Sequence, residues 1–180
     1  MGAATTTLMV VGGKIVKTIK TAQVRRQERA IRRQEKTQGD IIKRLQEGSK
    51  KINKEYAGQR KKFDPNSIQA KKYPNGVEFD ENGFARFEEY SVKSVKFEFP
   101  SEEGLINNRC LNGNYYHDEK LANAFIGYDS TPEGYVWHHV EDMQTMLLVP
   151  QDVHSSMMGG CSHTGGACYI KKYIAEEMKK

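Results

Sequence analysis

An α+β fold follows from three features of the 180-residue sequence. The first third is charged at nearly every helical position. The middle is a series of short apolar segments cut by turn residues. The last third sets two strand-like runs and a short helix around a block of histidines. These features predict a basic helical arm or linker over residues 1–60 and one small mixed domain over residues 61–180. Residues 1–60 carry 15 Lys and Arg against 5 Asp and Glu, whereas residues 61–180 carry 13 against 18. The net charge of +5 therefore belongs to the arm, and the histidine-bearing domain is mildly acidic. That asymmetry counts against a basic fold binding nucleic acid by net charge alone.

Residues 14–60 read as helix with charge almost all round, since Ile15, Ile19, Val24, Ile31, Ile41, Ile42, Leu45 and Ile52 are too sparse for a packed face. Gly39-Asp40 marks a break, with Asp40 as N-cap of a second helix ending near Gly48. The cluster Arg25, Arg26, Arg29, Arg32 and Arg33 is either a solvated face or a phosphate-attracting one. Leu8–Ile19 is interrupted by Gly12-Gly13 and carries Lys14 and Lys17, too short and too charged to span a membrane. No signal-peptide layout is visible.

Turn chemistry at Asp64-Pro65-Asn66, Tyr73-Pro74-Asn75-Gly76 and Asp80-Glu81-Asn82-Gly83 separates short strands at Val77–Phe79, Phe84–Phe87 and Ser91–Phe99. A helix is expected over Asp118–Gly127, capped by Asp118, with Leu121, Ala124 and Phe125 as its inner face. Three cysteines, Cys110, Cys161 and Cys168, form no disulfide framework and fit a reducing compartment or a free or metal-bound thiol.

Trp137–Gly166 holds four of the five histidines. Tyr135–Val140 and Thr145–Val149 alternate like strands, Glu141–Gln144 joins them, and Pro150 ends the second before a short helix carrying His154. Neighbouring strand residues face opposite ways, so His138 and His139 take different roles, one toward a metal and one toward a water that a neutral imidazole could deprotonate. His154 and His163 could complete a metal site. A competing structural zinc site would use His154, Cys161, His163 and Cys168, but their spacings of seven, two and five residues match no common finger.

The pieces WHH, TMLLVPQDVH and HTGG, preceded by FDENGFARFEEY, SVKSVKFEFP and LANAFIGYDSTPEGY, resemble the WHH branch of the HNH/endonuclease VII superfamily over about residues 77–170. That resemblance implies a ββα-metal (His-Me finger) core and a nuclease toxin domain at the C-terminus of a polymorphic bacterial toxin. It further implies delivery into the cytoplasm of a target bacterium and neutralisation by a dedicated immunity protein. By the same resemblance His138, His154 and His163 are metal ligands, His139 is the general base, and Trp137 buttresses the hairpin. The residue that is Asn in ordinary HNH sequences falls at Thr145, with Gln144 as the alternative for orienting the base.

The expected function is thus an endonuclease hydrolysing phosphodiesters in DNA, with RNA as the other substrate. It would use one divalent metal, zinc for an all-imidazole site, with magnesium, manganese and nickel as the other candidates. Arg109, Lys120, Lys171 and Lys172, together with Arg25, Arg26 and Arg29 of the arm, are the expected phosphate contacts. The alternatives are a non-catalytic zinc-stabilised nucleic-acid-binding module and an inactive toxin remnant that binds an immunity protein.

Overall fold

The computed structural model describes residues 5–11, 14–20, 22–47 and 53–178. The chain divides into two compact units, residues 1–43 and 44–180. In the first, strands β1 (Thr5–Val11) and β2 (Lys14–Lys20) pair antiparallel, Thr5 opposite Lys20. Helix α1 (Ala22–Glu47) follows. Residues 14–20 are therefore strand, where charge and sparse apolar spacing pointed to helix. The segment KIVKTIK is rich in β-branched residues, which lose side-chain freedom in a helix and fit a pleated strand. Nor does the expected break at Gly39-Asp40 occur. Gly39 sits within α1, and one exposed glycine costs a helix only about 1 kcal/mol relative to alanine. Among the described residues no helix is long and apolar enough to cross a membrane.

The second unit contains two three-stranded antiparallel sheets. Strands β3 (Arg60–Lys61), β4 (Val77–Phe79) and β5 (Ala85–Arg86) form one, with β4 central. The short helix α2 (Ile68–Lys72) precedes β4 and is N-capped by Ser67. Strands β6 (Lys93–Lys96), β7 (Tyr135–His139) and β8 (Thr145–Pro150) form the other, with β8 in the middle. Helices α3 (Glu102–Ile106) and α4 (Tyr115–Phe125) lie between β6 and β7 in sequence, and α5 (Gln151–His154) and α6 (Ala167–Glu177) follow β8.

The core shows why both sheets are needed. Val77, Phe79 and Ala85 from the first, with Phe87 just after β5, pack with Leu147 and Val149 of β8, Val153 of α5, Tyr73 and Cys161. Strands of two or three residues cannot bury enough apolar area alone, so each sheet supplies the other's missing face.

Helix α4 departs from expectation in both its start and its inner face. Asn114, not Asp118, is the N-cap, its side chain accepting from the His117 amide. The buried residues are Asp118, Ala122 and Asn123, whereas Ala124 and Phe125 are exposed. Apolar spacing misplaced this face because the helix packs polar groups inward, each matched to a partner on β7.

Candidate metal and catalytic site

The site grows from the β7–β8 hairpin. Asp142 closes its turn, accepting from the amides of Gln144 (2.9 Å) and Thr145 (2.7 Å) and from the Thr145 hydroxyl (2.6 Å). Met143 takes a left-handed backbone (φ 62°) inside that turn. On β7, His138 is opposite Leu147 and His139 opposite Met146, so the alternating pleat sends the two imidazoles to opposite faces of the sheet.

On the face shared with the core, His138 meets His154 from the end of α5 and His163 from the segment leading to α6. One nitrogen from each lies within 4.8 Å of the others, and His138 Nδ1 is 3.2 Å from His154 Nε2. Two ligands held about 2.0–2.1 Å from a tetrahedral zinc are separated by roughly 3.4 Å, so this spacing fits a shared cation. His163 donates its Nδ1–H to the Cys161 carbonyl at 2.9 Å, which leaves Nε2 as the lone-pair nitrogen. A Cβ at Gly165 would stand in ordinary contact with His138 Cε1 at 3.8 Å and His163 Nε2 at 3.9 Å, which places this turn against the cluster. The fully buried Phe87 forms the floor, its ring 4.9, 5.2 and 4.8 Å from those of His138, His154 and His163.

Those surroundings set the protonation state. Burial holds His138 well below the usual imidazole range, reinforced by repulsion from His163 and His154. His154 is lowered to about 3, chiefly by burial and then by His163. Burial likewise lowers His163. Three neutral imidazoles converging on one point constitute a ligand set that needs no deprotonation to bind a metal. A cleft of about 410 Å³ lined by His154, His163, Ser156, Met157, Ser162 and their neighbours opens beside it.

On the other face His139 is buried, its Nε2 2.9 Å from Asp118 Oδ2 on α4. Its Nδ1 has no hydrogen-bond partner among the described residues. The Tyr115 ring stands edge-on to the imidazole at 5.2 Å and 89°. Asp118 is itself fully buried; burial works to raise its pKa, but hydrogen bonds from His139, His117 and the Asn112 amide hold it below the ordinary carboxylate value.

The structure therefore gathers His138, His154 and His163 at one point and sets His139 apart against α4. Thr145 and Gln144 sit at the hairpin turn, with Thr145 bonded to Asp142; the side chain bonded to His139 is Asp118. Arg109 is engaged by Glu98 (3.1 Å) and Glu103 (2.8 Å). Lys171 Nζ lies 5.8 Å from the centre of the Tyr115 ring, and Lys120 Nζ lies 4.2 Å from that of Tyr116. Lys172 is half-buried on α6. Arg25, Arg26 and Arg29 lie on α1 in the first unit, with Arg26 and Arg29 exposed. Cys161 and Cys168 donate to the Ser162 and Gly165 carbonyls and stand outside the histidine cluster.

Sequence reasoning missed Asp118 as a site residue and did not include Phe87. Glu141 is a turn residue as expected, and the structure adds that its side chain is buried 3.6 Å from Arg86. For Asp118 a signal existed: Asn114 lies where a cap is needed, which frees the next acidic residue for another task.

A ββα unit thus gathers three imidazoles around one point, with a fourth, carboxylate-bonded imidazole next to one of them in sequence. Residues 127–173 match the WHH family, described as a nuclease of the HNH/ENDO VII superfamily with conserved WHH. The matched segment contains Trp137-His138-His139, His154 and His163. No curated protein matches the chain.

Proposed function

We propose that the second unit is a metal-dependent endonuclease acting on DNA, with His138, His154 and His163 holding one zinc ion and His139 as general base. The observation that carries this reading is the convergence of three imidazoles within 4.8 Å, inside the segment that matches a nuclease family. A cation held there would supply Lewis acidity at a phosphate oxygen and its leaving group.

The chain's own residues account for the rest. Phe87 and the buried hairpin exclude water behind the ligands and fix their rotamers. In this reading His139 accepts the proton of an attacking water at Nδ1, the buried ring nitrogen that has no partner among the described residues, on the face of β7 opposite the three ligands. Phosphate contacts fall to Lys120 and Lys171, with Arg109, Lys172 and the arm residues Arg25, Arg26 and Arg29 as further candidates. Local positive groups of this kind are required because residues 61–180 carry a net negative charge. Support for a toxin delivered into a target bacterium, and for a cognate immunity protein, comes from the resemblance of residues 77–170 to toxin domains.

The test is incubation of the purified full chain with plasmid DNA and with transfer RNA, with and without a chelator. Plasmid nicking that the chelator stops is expected. His139→Ala should abolish nicking at near-normal metal content, and His154→Ala should lose both. Nicking by His139→Ala at the wild-type rate would overturn the mechanism.

A further inference from the structure

The histidine on the far face of the hairpin carries an inference that the motif itself does not contain. The four acceptor positions of the Asp118 carboxylate are all occupied. Oδ1 takes the Asn112 amide at 3.0 Å and His117 Nδ1 at 2.9 Å; Oδ2 takes the Gly113 amide at 2.8 Å and His139 Nε2 at 2.9 Å. The two backbone amides can only donate, and because these bonds hold Asp118 below the ordinary carboxylate value it is ionised and can only accept, so both imidazoles donate to it as well. His139 is therefore protonated at Nε2, and its Nδ1 is the lone-pair nitrogen. That Nδ1 has no partner among the described residues.

We propose that Asp118 is the positioning residue of the nuclease site: it fixes the tautomer and ring orientation of His139 so that Nδ1 is the proton-accepting atom. This rests on His139 being the base. Asp118 takes the place that sequence comparison assigns to Thr145 or Gln144, and it comes from α4, outside the matched segment at residues 127–173. Asn112 and Gly113 hold the carboxylate on its other side, so its aim is set by backbone amides as well as by imidazoles. The Tyr115 ring, one turn earlier on α4, stands perpendicular to His139 and limits rotation of the imidazole.

Two measurements test the proposal. In the wild-type chain with ¹⁵N-labelled histidine, long-range proton–nitrogen correlation spectra report the tautomer directly, and His139 is expected as the Nε2–H form. In Asp118→Asn, kcat on plasmid DNA is expected to fall roughly 100-fold or more, with KM and metal per chain unchanged. Asn offers one acceptor oxygen instead of two, so the variant tests the bond most severely where its fold is retained. The wild-type spectrum stands even where it is not. A wild-type His139 in the Nδ1–H form overturns the proposal, as does Asp118→Asn with unchanged kcat; both leave the nuclease reading intact. A wild-type chain that cleaves nothing with metal present overturns the nuclease reading itself, and with it any catalytic use of Asp118, whichever tautomer is observed.

Discussion

Asn123 on α4 accepts the indole N–H of Trp137 at 2.8 Å, with both residues buried. The other end of the same amide donates to the Thr131 hydroxyl at 3.0 Å, and Thr131 in turn donates to Glu119. This chain of bonds fastens α4 to the strand that carries both central histidines. An indole N–H buried without a partner costs about 1–3 kcal/mol. Asn123→Leu is accordingly expected to destabilise the protein by that amount in chemical denaturation. Adding Trp137→Phe to Asn123→Leu should cost less than the two single changes added together, because the second change removes the donor that the first orphaned. Additive losses would mean that the bond contributes nothing.

Two adjacent glycines should differ sharply. A Cβ on Gly166 would fall 2.0 Å from the Val140 carbonyl oxygen and 2.6 Å from its carbon, both rigid backbone atoms. The Gly166 amide also donates to the His139 carbonyl at 2.9 Å, locking the start of α6 against the end of β7. A Cβ on Gly165 would meet nothing nearer than 3.7 Å. Gly166→Ala is expected to cost about 3 kcal/mol and to weaken metal retention, since His163 lies on the same segment. Gly165→Ala should stay within ~0.5 kcal/mol of wild type. Equal denaturation midpoints for the two variants would contradict the close approach.

The hairpin and its histidines were legible because alternation, a turn and a terminating proline are local signals. Tyr135–His139 and Thr145–Pro150 lie where those signals put them. What failed to be legible was non-local. Asp118 reads as a cap until the fold brings His139, 21 residues away, against it. Phe87 reads as one aromatic in a short strand until three imidazoles close over it. The buried face of α4 was misplaced for a related reason: hydrophobic periodicity locates apolar faces, and this face is polar and satisfied by partners on another element. Lys14–Lys20 shows the reverse error, where charge density outweighed a β-branched pattern.

Glu141 makes a pH prediction of definite sign. Burial raises its carboxyl to about 8, against the pull of Arg86, whose guanidinium is 3.6 Å away and also bonded to Asp80 at 2.6 Å. A folded-state pKa above the unfolded value of about 4.3 means that Glu141's contribution is fully present below that value and is lost progressively as pH rises to about 8. The loss is of order 3–5 kcal/mol across the window. Glu141→Gln keeps the shape and removes the ionisation. It is expected to melt near wild type at pH 5 and well above it at pH 9. A difference independent of pH would show that the carboxyl is not held protonated.

The imidazole cluster should act in the opposite direction. Its three histidines are held below their unfolded value of about 6.5, His154 at about 3. Below pH 6.5 the unfolded chain therefore takes up protons that the folded site refuses. The stability from these groups is present above about 6.5 and is lost as pH falls toward the folded-state values. The slope approaches roughly 1.4 kcal/mol per histidine for each pH unit. Because Glu141 gains stability over part of the same range, the measurement belongs in the Glu141→Gln background with chelator present. There the melting temperature should fall steeply between pH 6.5 and 5. Further replacement by His154→Phe, which keeps an aromatic ring beside Phe87 and removes one titrating group, should make the fall shallower. Saturating zinc at pH 7 should raise the melting temperature of the histidine-complete protein and leave that of His154→Phe nearly unchanged, since two imidazoles hold the ion far less tightly than three. A chelator-treated protein whose melting temperature stays flat from pH 7 to 5 would show that the imidazoles are not held neutral, and the ligand set would have to be reassigned.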